Sequence, residues 1–400
     1  MLETAHAFID RAAEKLNIPT DVVAQLKQPN HEHVFEVQLD NGKSFKAFRV
    51  QHNNKLGPYK GGIRYHQNVT LEEVQTLATL MSLKTAAVGL PLGGGKGGIT
   101  VNPRELSATE LEELSRKYAR HLTPHIGPDK DVPAPDVNTN GQIIDWMVEE
   151  YESITGESNK ASFTGKSIAK GGSLGRDAAT GRGGVLALAE LLSLEDNLEK
   201  PLTYAVQGFG NVGSFFASTA QNMYPQWKLV AASDSEVAVH NAEGLDAKAL
   251  QKFKEDGGRF KNYESDTEKI TNDALLALDV DVLILAGLED SVTDKNVSTV
   301  RAKHVVELAN GPITDKALDA FADAGVTVLP DVIANAGGVI VSYLEWCQNV
   351  AGEHWTVEKV NDELAKYMKP AVKSTYEAAK EHGTDLKSAA FIIALKRLTA

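Results

Sequence analysis

A lysine and an aspartate within glycine- and proline-rich segments are the residues of this sequence best suited to acid–base chemistry. Lys96 is the one side chain in GGGKGG (93–98), and Asp136 ends PAPD (133–136). Surrounding glycines let a small molecule approach the ammonium and leave it poorly hydrated, which lowers the pKa of a lysine. Prolines stiffen the backbone that carries the carboxylate. The pattern indicates a lysine–aspartate pair for proton transfer.

Two further lysines could complete a pocket for an anion. Lys60 stands in the glycine-rich GPYKGG (57–62), which is typical of a turn, and Lys84 continues the apolar stripe of a helical pattern. Together with Lys96, these ammonium groups would suit a molecule that carries two negative charges. The segment is not a P-loop, because Gly97 follows Lys96 where that motif needs serine or threonine.

Each of these residues also has a structural interpretation. The segment around Lys96 could be a flexible surface loop. Lys84 could be a lysine that snorkels from an apolar helix face. Asp136 could cap the helix predicted around Ile143 and Ile144.

A glycine motif further along the chain indicates dinucleotide binding. The motif has the form GxGxxG and comprises Gly208, Phe209, Gly210, Asn211, Val212 and Gly213. It follows a predicted strand that ends at Gln207, it opens an apolar helix, and an acid follows the next strand about 20 residues on. Such glycines allow the turn, the approach of the pyrophosphate and the packing of helix on strand, while the helix N-terminus favours phosphate. A glycine turn without a ligand is the alternative.

The acid at the end of that next strand is Asp234. Its carboxylate could accept hydrogen bonds from both ribose hydroxyls and would repel a 2′-phosphate, which favours NAD over NADP. It could instead be a turn-forming aspartate, and the neighbouring Ser233 and Ser235 leave use of both cofactors open.

These residues need elements to position them. Thr70 with Glu73 and Ser107 with Glu110 have the form of capping boxes, and each precedes an apolar helical stripe. Short strands are predicted at Leu202–Gln207, Lys228–Ala232, Asp281–Leu285, His304–Ala309 and Val326–Leu329. Helical patterns separate several of them, which indicates an α/β class with a parallel sheet covered by helices on both faces. Residues 361–397 are helical by pattern.

Composition limits the possible functions. The 400 residues favour two domains, and a formal net charge of −13 argues against a polyanionic partner such as nucleic acid. One cysteine, Cys347, excludes an intrachain disulfide. The early acids do not suit a secretory signal, and no apolar run is long enough to span a membrane. We therefore expect a cytoplasmic protein with no membrane contact.

Seven segments together resemble the glutamate dehydrogenase family within the superfamily of amino-acid dehydrogenases. They are GPYKGGIRYH (57–66), LPLGGGKGGI (90–99), PAPDVNTNGQ (133–142), GGSLGRDAATGRG (171–183), QGFGNVG (207–213), ELANGP (307–312) and VIANAGGVIVSYLEW (332–346). The resemblance implies an N-terminal α/β domain, residues 1–171, for substrate binding and oligomerisation. It implies a Rossmann-like doubly wound domain, residues 172–374, for the dinucleotide, and a C-terminal helix of about 375–400 that packs back.

The resemblance also assigns roles to individual residues. It implies that Lys96 is the catalytic lysine, Asp136 the catalytic acid–base, and Lys84 the ligand of the α-carboxylate. Lys60 and Ser342 would grip the side-chain carboxylate. The remaining residues on the substrate side would be Gly61, Gly62, Ala134 and Val339, and those on the nucleotide side would be Thr180, Asn310 and Asn335.

The implied reaction is reversible oxidative deamination of L-glutamate to 2-oxoglutarate and ammonium by a homohexamer that uses NAD, with NADP possible, and no metal. Lys60 separates this reaction from its alternative, because relatives that act on leucine, phenylalanine or valine carry an apolar residue there. A non-catalytic regulatory subunit is the second alternative. Two departures from the family stand out: Leu285 replaces a usual proline, and Glu236 replaces a frequent lysine, which again favours NAD.

Overall fold

A computed structural model describes residues 2–158 and 160–400. The helices are α1 (Leu2–Leu16), α2 (Thr20–Leu26), α3 (Leu71–Ala87), α4 (Ala108–Leu122), α5 (Gly141–Thr155), α6 (Ala179–Leu194), α7 (Asn211–Met223), α8 (Ala247–Glu255), α9 (Asn272–Leu276), α10 (Asp315–Asp323), α11 (Asp331–Ala334), α12 (Gly337–Ala351), α13 (Val357–His382) and α14 (Leu386–Thr399). The strands are β1 (His31–Gln38), β2 (Ser44–Asn53), β3 (Tyr59–His66), β4 (Gly94–Thr100), β5 (Asp131–Pro135), β6 (Leu202–Gln207), β7 (Trp227–Ser233), β8 (Ala238–His240), β9 (Glu268–Ile270), β10 (Val282–Leu285), β11 (His304–Glu307) and β12 (Thr327–Leu329).

The described chain forms two compact units. The first runs up to Gly175 and also includes Val339–Glu363 and Phe391–Ala400, and the second comprises Arg176–Gly338 and Leu364–Ala390. Residues 339–363, which are predicted in the second domain, belong to the first unit, where Lys166 and Glu345 form a fully buried ion pair of 2.7 Å. Such a long-range pairing leaves no local signature in the sequence.

The first unit is built on a five-stranded sheet in the order β1-β2-β4-β3-β5, in which β3 runs parallel to both β4 and β5. Side chains of successive strand residues point to opposite faces. One face packs against α4 and α5 through a core that includes Ile63, Tyr65 and Tyr118. The other face packs against α3 through a smaller core that includes Val50 and Val74.

Both predicted helix caps are confirmed. The Thr70 hydroxyl accepts a hydrogen bond from Glu73 N at the start of α3, and Ser107 and Glu110 form a complete capping box at the start of α4. The Glu73 carboxylate does not return to its cap, because it accepts from Arg64. Helix α3 extends to Ala87, so Lys84 lies in its last turn.

The second unit contains a seven-stranded sheet in the order β12-β11-β10-β6-β7-β8-β9. The five strands from β12 to β7 are parallel, and they coincide with the five predicted strands to within two residues at each end. The chain starts at β6 in the middle and winds outward in both directions. The strand order therefore reverses between β6 and β10, which is where such sheets bind ligands.

Strands β8 and β9 were not predicted. They extend the sheet beyond β7 in antiparallel pairing and are three residues each. Strands this short carry too little periodicity to be identified from sequence alone.

The C-terminal segment is helical, as predicted, but it forms two helices. α13 ends at His382 and α14 begins at Leu386, and Gly383 between them has a φ of +58°, a conformation that favours glycine. Residues 364–390 belong to the second unit and only Phe391–Ala400 belong to the first. Among the described residues, no helix combines the length and apolarity needed to cross a membrane.

Candidate active site

Lys96 and Asp136 form an ion pair in the first unit. Lys96 Nζ lies 2.8 Å from Asp136 Oδ2, and Lys96 is only 7% exposed. Asp136 directly follows β5, and its backbone N–H donates to Thr139 Oγ1, which in turn donates to Ile63 O of β3. The alternative role of Asp136 as a helix cap is wrong, because Asn140 caps α5. The structure thus joins two residues that lie 40 positions apart.

The glycine-rich segment around Lys96 is a strand and not a loop. It forms most of β4, between β2 and β3. A Cβ at Gly94 would lie 2.1 Å from Ser82 N of α3, and a Cβ at Gly97 would lie 2.4 Å from the Tyr118 hydroxyl of α4. The glycines therefore allow helices to pack closely on both faces of the sheet. Lys96, with a glycine on either side in the strand, lies on the face that packs against α3.

Lys60 lies on the same face as Lys96 and is 2% exposed. The segment around Lys60, predicted as a turn, is also a strand, β3. Lys60, Gly62 and Arg64 are two residues apart in it and therefore lie on the same face of the sheet. Gly62 has Ala134 as its lateral neighbour on β5, and a Cβ at Gly62 would lie 2.7 Å from the Cβ of Asp136. The absence of a side chain at position 62 therefore makes room for the carboxylate.

Lys84 and Gly61 are two further residues that the sequence analysis predicts on the substrate side. Lys84 is half-buried in the last turn of α3, the helix that packs on the same face of the sheet. Gly61 points to the opposite face, where a Cβ would lie 1.6 Å from Gly95 O. Its requirement for glycine is therefore one of strand packing.

Ser342 reaches the same sheet through Thr164. Their hydroxyl oxygens lie 2.6 Å apart and are buried, and Thr164 N donates to Pro133 O of β5. Val339 lies one turn before Ser342 on α12 and is half-buried. Sequence reasoning missed Thr164, which no motif contains.

Electrostatics distinguish the two central groups. Burial lowers the pKa of the Lys96 ammonium, and the nearby Arg64 and Arg49 lower it further against the opposing effect of Asp136. Burial alone would raise the pKa of Asp136, but Lys96 and Arg64 outweigh it and bring that pKa to about 2. Asp136 is therefore a carboxylate throughout the neutral pH range and can accept a proton.

Arg64 is a second residue that the sequence analysis did not single out. Its Nε donates to Asp136 Oδ2 at 2.9 Å and its Nη1 donates to Glu73 Oε1 at 2.6 Å. The signal was available, since Arg64 lies within GPYKGGIRYH and shares the strand parity of Lys60.

The glycine turn of the second unit fits a dinucleotide pyrophosphate. Gly208 has a φ of +89°, and a Cβ at Gly213 would lie 2.2 Å from Gly208 O. Gly210 is the N-cap of α7, and a Cβ there would meet nothing within 4 Å. Gly210 and the following Asn211 are exposed, so a phosphate could approach the backbone N–H groups at the start of α7. The N-terminus of a helix favours such an anion.

The other residues predicted on the nucleotide side lie in the loop after β11, at the end of α11 and at the start of α6. Asn335 Nδ2 donates to Asn310 Oδ1 at 2.9 Å, which links α11 to the loop after β11. Thr180 lies in the first turn of α6, where its Oγ1 would be 2.9 Å from a Cβ at Gly338. Leu285, the departure from the family proline, ends β10 within the ladder to β6 and β11.

Asp234 is not available in the way the sequence analysis expected. Its Oδ1 accepts from the backbone N–H groups of Glu236 and Val237. Its Oδ2 accepts from Phe260 N and Lys254 Nζ. Burial opposes ionisation, yet these donors lower the pKa of Asp234 to about 2. Four hydrogen bonds fill the usual acceptor capacity of a carboxylate, so the ribose would have to displace one of them.

Comparisons with known proteins match both units. Residues 29–153 match the Glu/Leu/Phe/Val dehydrogenase dimerisation domain, and residues 171–400 match the Glutamate/Leucine/Phenylalanine/Valine dehydrogenase domain. The NADP-specific glutamate dehydrogenase A1 of Halobacterium salinarum is 44% identical, with 99% of this chain and 96% of that protein covered. The NAD-specific glutamate dehydrogenase of Clostridioides difficile is 40% identical, with 100% and 96% covered.

A solved structure gives the same result for the fold. The hetero-hexameric glutamate dehydrogenase of Thermus thermophilus, in a leucine-bound form, superposes with a TM-score of 0.89 at 32% identity, covering 99% of this chain and 94% of that one. The chain belongs to the Glu/Leu/Phe/Val dehydrogenase family. The α/β fold class expected for this family is confirmed by both sheets.

Proposed function

We propose that the protein catalyses the reversible oxidative deamination of L-glutamate to 2-oxoglutarate and ammonium. The observation that carries this proposal is the buried pair of Lys96 and Asp136 on a sheet face that also bears Lys60. Full-length relatives that are named glutamate dehydrogenases support it. The test is formation of NADH or NADPH by the purified chain with glutamate, compared with leucine, phenylalanine and valine.

In this proposal the residues of the first unit bind the substrate and move its protons. Lys84 binds the α-carboxylate, and Lys60 with Ser342 binds the side-chain carboxylate. Lys96 polarises the water that attacks the iminium carbon, and the ionised Asp136 accepts a proton from that water and later gives one to the departing nitrogen. Gly62 and Ala134 leave room beside the carboxylate.

The residues of the second unit would hold the nicotinamide cofactor. The N-terminus of α7 and Gly208–Gly213 would bind the pyrophosphate, Thr180 would hold the nicotinamide amide, and Asn310 and Asn335 would lie on the nucleotide side. When bound, the cofactor supplies the hydride acceptor for the α-hydrogen of the substrate. The named relatives include NAD-specific and NADP-specific enzymes, which supports NAD with NADP possible.

Replacing Lys60 with methionine should separate glutamate from apolar substrates. We expect kcat/KM for glutamate to fall by about 100-fold or more, because the second carboxylate would lose its charged partner in a buried site. The relative rate with leucine should rise. Steady-state rates with both amino acids measure this, and Lys55→Met, which changes an exposed lysine five residues away, is the control. Unchanged discrimination would contradict the role of Lys60.

Cofactor preference should depend on Glu236. Its carboxylate pairs with Arg259, and its Oε2 lies 2.7 Å from Lys261 Nζ, beside the loop that holds Asp234. Glu236→Gln would release these cations for a 2′-phosphate, so we expect the NADP to NAD ratio of kcat/KM to rise about five- to tenfold. Dissociation constants for the two cofactors should shift in the same direction, whereas the exposed Glu243→Gln should change neither.

The assembly and location are further proposals. A hexamer is supported by the hetero-hexameric assembly named for the related Thermus protein, and the single cysteine suits a reducing compartment such as the cytoplasm. That all six chains are identical is part of the proposal. Light scattering of the purified chain should give the mass of six chains. The alternative of a regulatory subunit predicts that the chain alone produces no reduced cofactor with any of the four amino acids.

A further inference from the structure

Arg64 joins two carboxylates that belong to different elements of the first unit. Its Nε donates to Asp136 Oδ2, the same oxygen that Lys96 Nζ approaches from β4. Its Nη1 donates to Glu73 Oε1 in the first turn of α3. Two cations therefore converge on one carboxylate oxygen, and one of them is itself held by a second carboxylate.

The fold explains why this guanidinium cannot easily turn away. Arg64 projects from β3 on the face that carries Gly62, where the lack of a Cβ brings Asp136 against the strand. Glu73 lies near the N-terminus of α3, where the helix dipole favours a negative charge. A planar guanidinium with separate donors can serve both carboxylates at once, which the single nitrogen of a lysine does less well.

We propose that Arg64, anchored by Glu73, is a positioning residue that fixes Asp136 against Lys96 and favours its carboxylate form before the proton is accepted. This inference rests on the proposed function of the same site. It assigns no contact with substrate to Arg64, which acts through Asp136. It also gives α3 two roles, because that helix carries Glu73 in its first turn and Lys84 in its last.

The charges around Asp136 determine the direction of the expected effect. Two cations pair with Asp136, Lys96 from β4 and Arg64 from β3, and Arg64 also pairs with Glu73 from α3. Lys60 lies on the same face of the sheet. Arg49 from β2 affects Asp136 only indirectly, because it lowers the pKa of Lys96. Burial favours the neutral form of Asp136, and the two cations paired with it favour the carboxylate. Removal of Arg64 leaves Lys96 as the one paired cation, so the pKa of Asp136 rises. The ionised form is then lost at a higher pH than in the unaltered protein.

The first experiment measures kcat at saturating glutamate against pH in Arg64→Met, Arg64→Lys and Glu73→Gln, because kcat/KM would also report the carboxyl groups of free glutamate. We expect the acidic limb of the Arg64→Met profile to move upward by about one pH unit or more, which is about a tenfold loss at a fixed pH on that limb. In Arg64→Lys the acidic limb should lie close to its pH in the unaltered protein, because the positive charge is kept. In Glu73→Gln the limb should shift by less than in Arg64→Met. Glu72→Gln, an exposed neighbour in the same helical turn, is the matched control and should follow the unaltered profile.

A second readout needs no substrate and separates this proposal from the proposed function. A carboxyl group whose pKa is lowered by folding stabilises the protein above its unfolded pKa, and this stability is lost as the pH falls through the folded pKa. Arg64→Met should therefore show a smaller loss of unfolding free energy between about pH 5 and pH 2 than Glu72→Gln does. In a Glu73→Gln background, which removes the other carboxylate partner of Arg64, Arg64→Met should still reduce that loss, whereas in a background of Glu73→Gln with Asp136→Asn it should not change it.

The outcomes are distinct. An equal loss of kcat at every pH, together with an unaltered acid dependence of stability, would overturn the role of Arg64. A failure of the unaltered chain to oxidise glutamate, together with the expected stability difference, would contradict the proposed function but keep the pairing of Arg64 with Asp136.

Discussion

Asp136→Asn should lower kcat for glutamate oxidation by about 10²–10⁴-fold, the usual contribution of a positioned acid–base group. Asparagine keeps the size and planarity of the side chain but cannot exchange a proton. Because Asp136 is a carboxylate with a pKa of about 2 beside Lys96, its loss removes the proton acceptor of the site. Initial rates at saturating glutamate and cofactor measure the effect.

Lys96→Ala should cause a comparable loss, since it removes the ammonium that polarises the attacking water. Both variants must bind the cofactor as the unaltered chain does, because Lys96 and Asp136 lie in the first unit and the glycine turn lies in the second. Near-normal turnover in both would mean that the chemical roles are assigned to the wrong residues. A loss of cofactor binding would instead indicate misfolding.

Arg49→Met should be the most destabilising of the single replacements considered, by about 3–5 kcal/mol. Arg49 and Asp131 are both 0% exposed and form two parallel hydrogen bonds across the sheet face opposite Lys96. Arg49 Nη1 also donates to Gly61 O. Methionine would leave the Asp131 carboxylate buried with only Gln51 as a side-chain donor, and the measurement is urea-induced unfolding.

Two controls make this result specific. The double replacement Arg49→Met with Asp131→Leu should recover most of the loss, because an apolar pair of similar volume needs no desolvation of charge. Lys117→Met, which breaks solvent-exposed ion pairs with Asp40 and Glu113, should cost far less stability than Arg49→Met. Equal losses at the buried and exposed sites would contradict the importance of burial.

Local sequence patterns predicted several elements well. Both helix caps and the Gly208–Gly213 turn arise from interactions between residues close in the chain, so turn chemistry reveals them. The five parallel strands pair over long distances, but each is marked by a short apolar run bounded by turn residues. The segment around Lys60 is predicted as a turn and the segment around Lys96 has a surface loop as its alternative, but both are strands. Glycine normally weakens a strand, and only the packing of α3 and α4 against β4 explains why it is required there.

The nucleotide side shows the same limit at Asp234. Its position after β7 was correct, but its hydrogen bonds to Phe260 and Lys254 come from a segment about 20 residues later. The spacing of the glycine motif and the acid does not predict that the carboxylate of Asp234 is already fully hydrogen-bonded within the protein. In the three-dimensional structure Asp234 is fully hydrogen-bonded, and the nearby Glu236 pairs with Arg259 and Lys261.

The amino-acid sequence by itself determined the family, the α/β class and the residue types of the site, because these depend on motifs and on patterns within single elements. Only the tertiary structure decided that Arg64 and Glu73 join Lys96 and Asp136, that Thr164 leads Ser342 to the sheet, and that Val339–Glu363 belongs to the first unit. The physical reason is that ion pairs and hydroxyl contacts form between side chains from distant elements, and their energies depend on burial and distance, which separation along the chain does not encode.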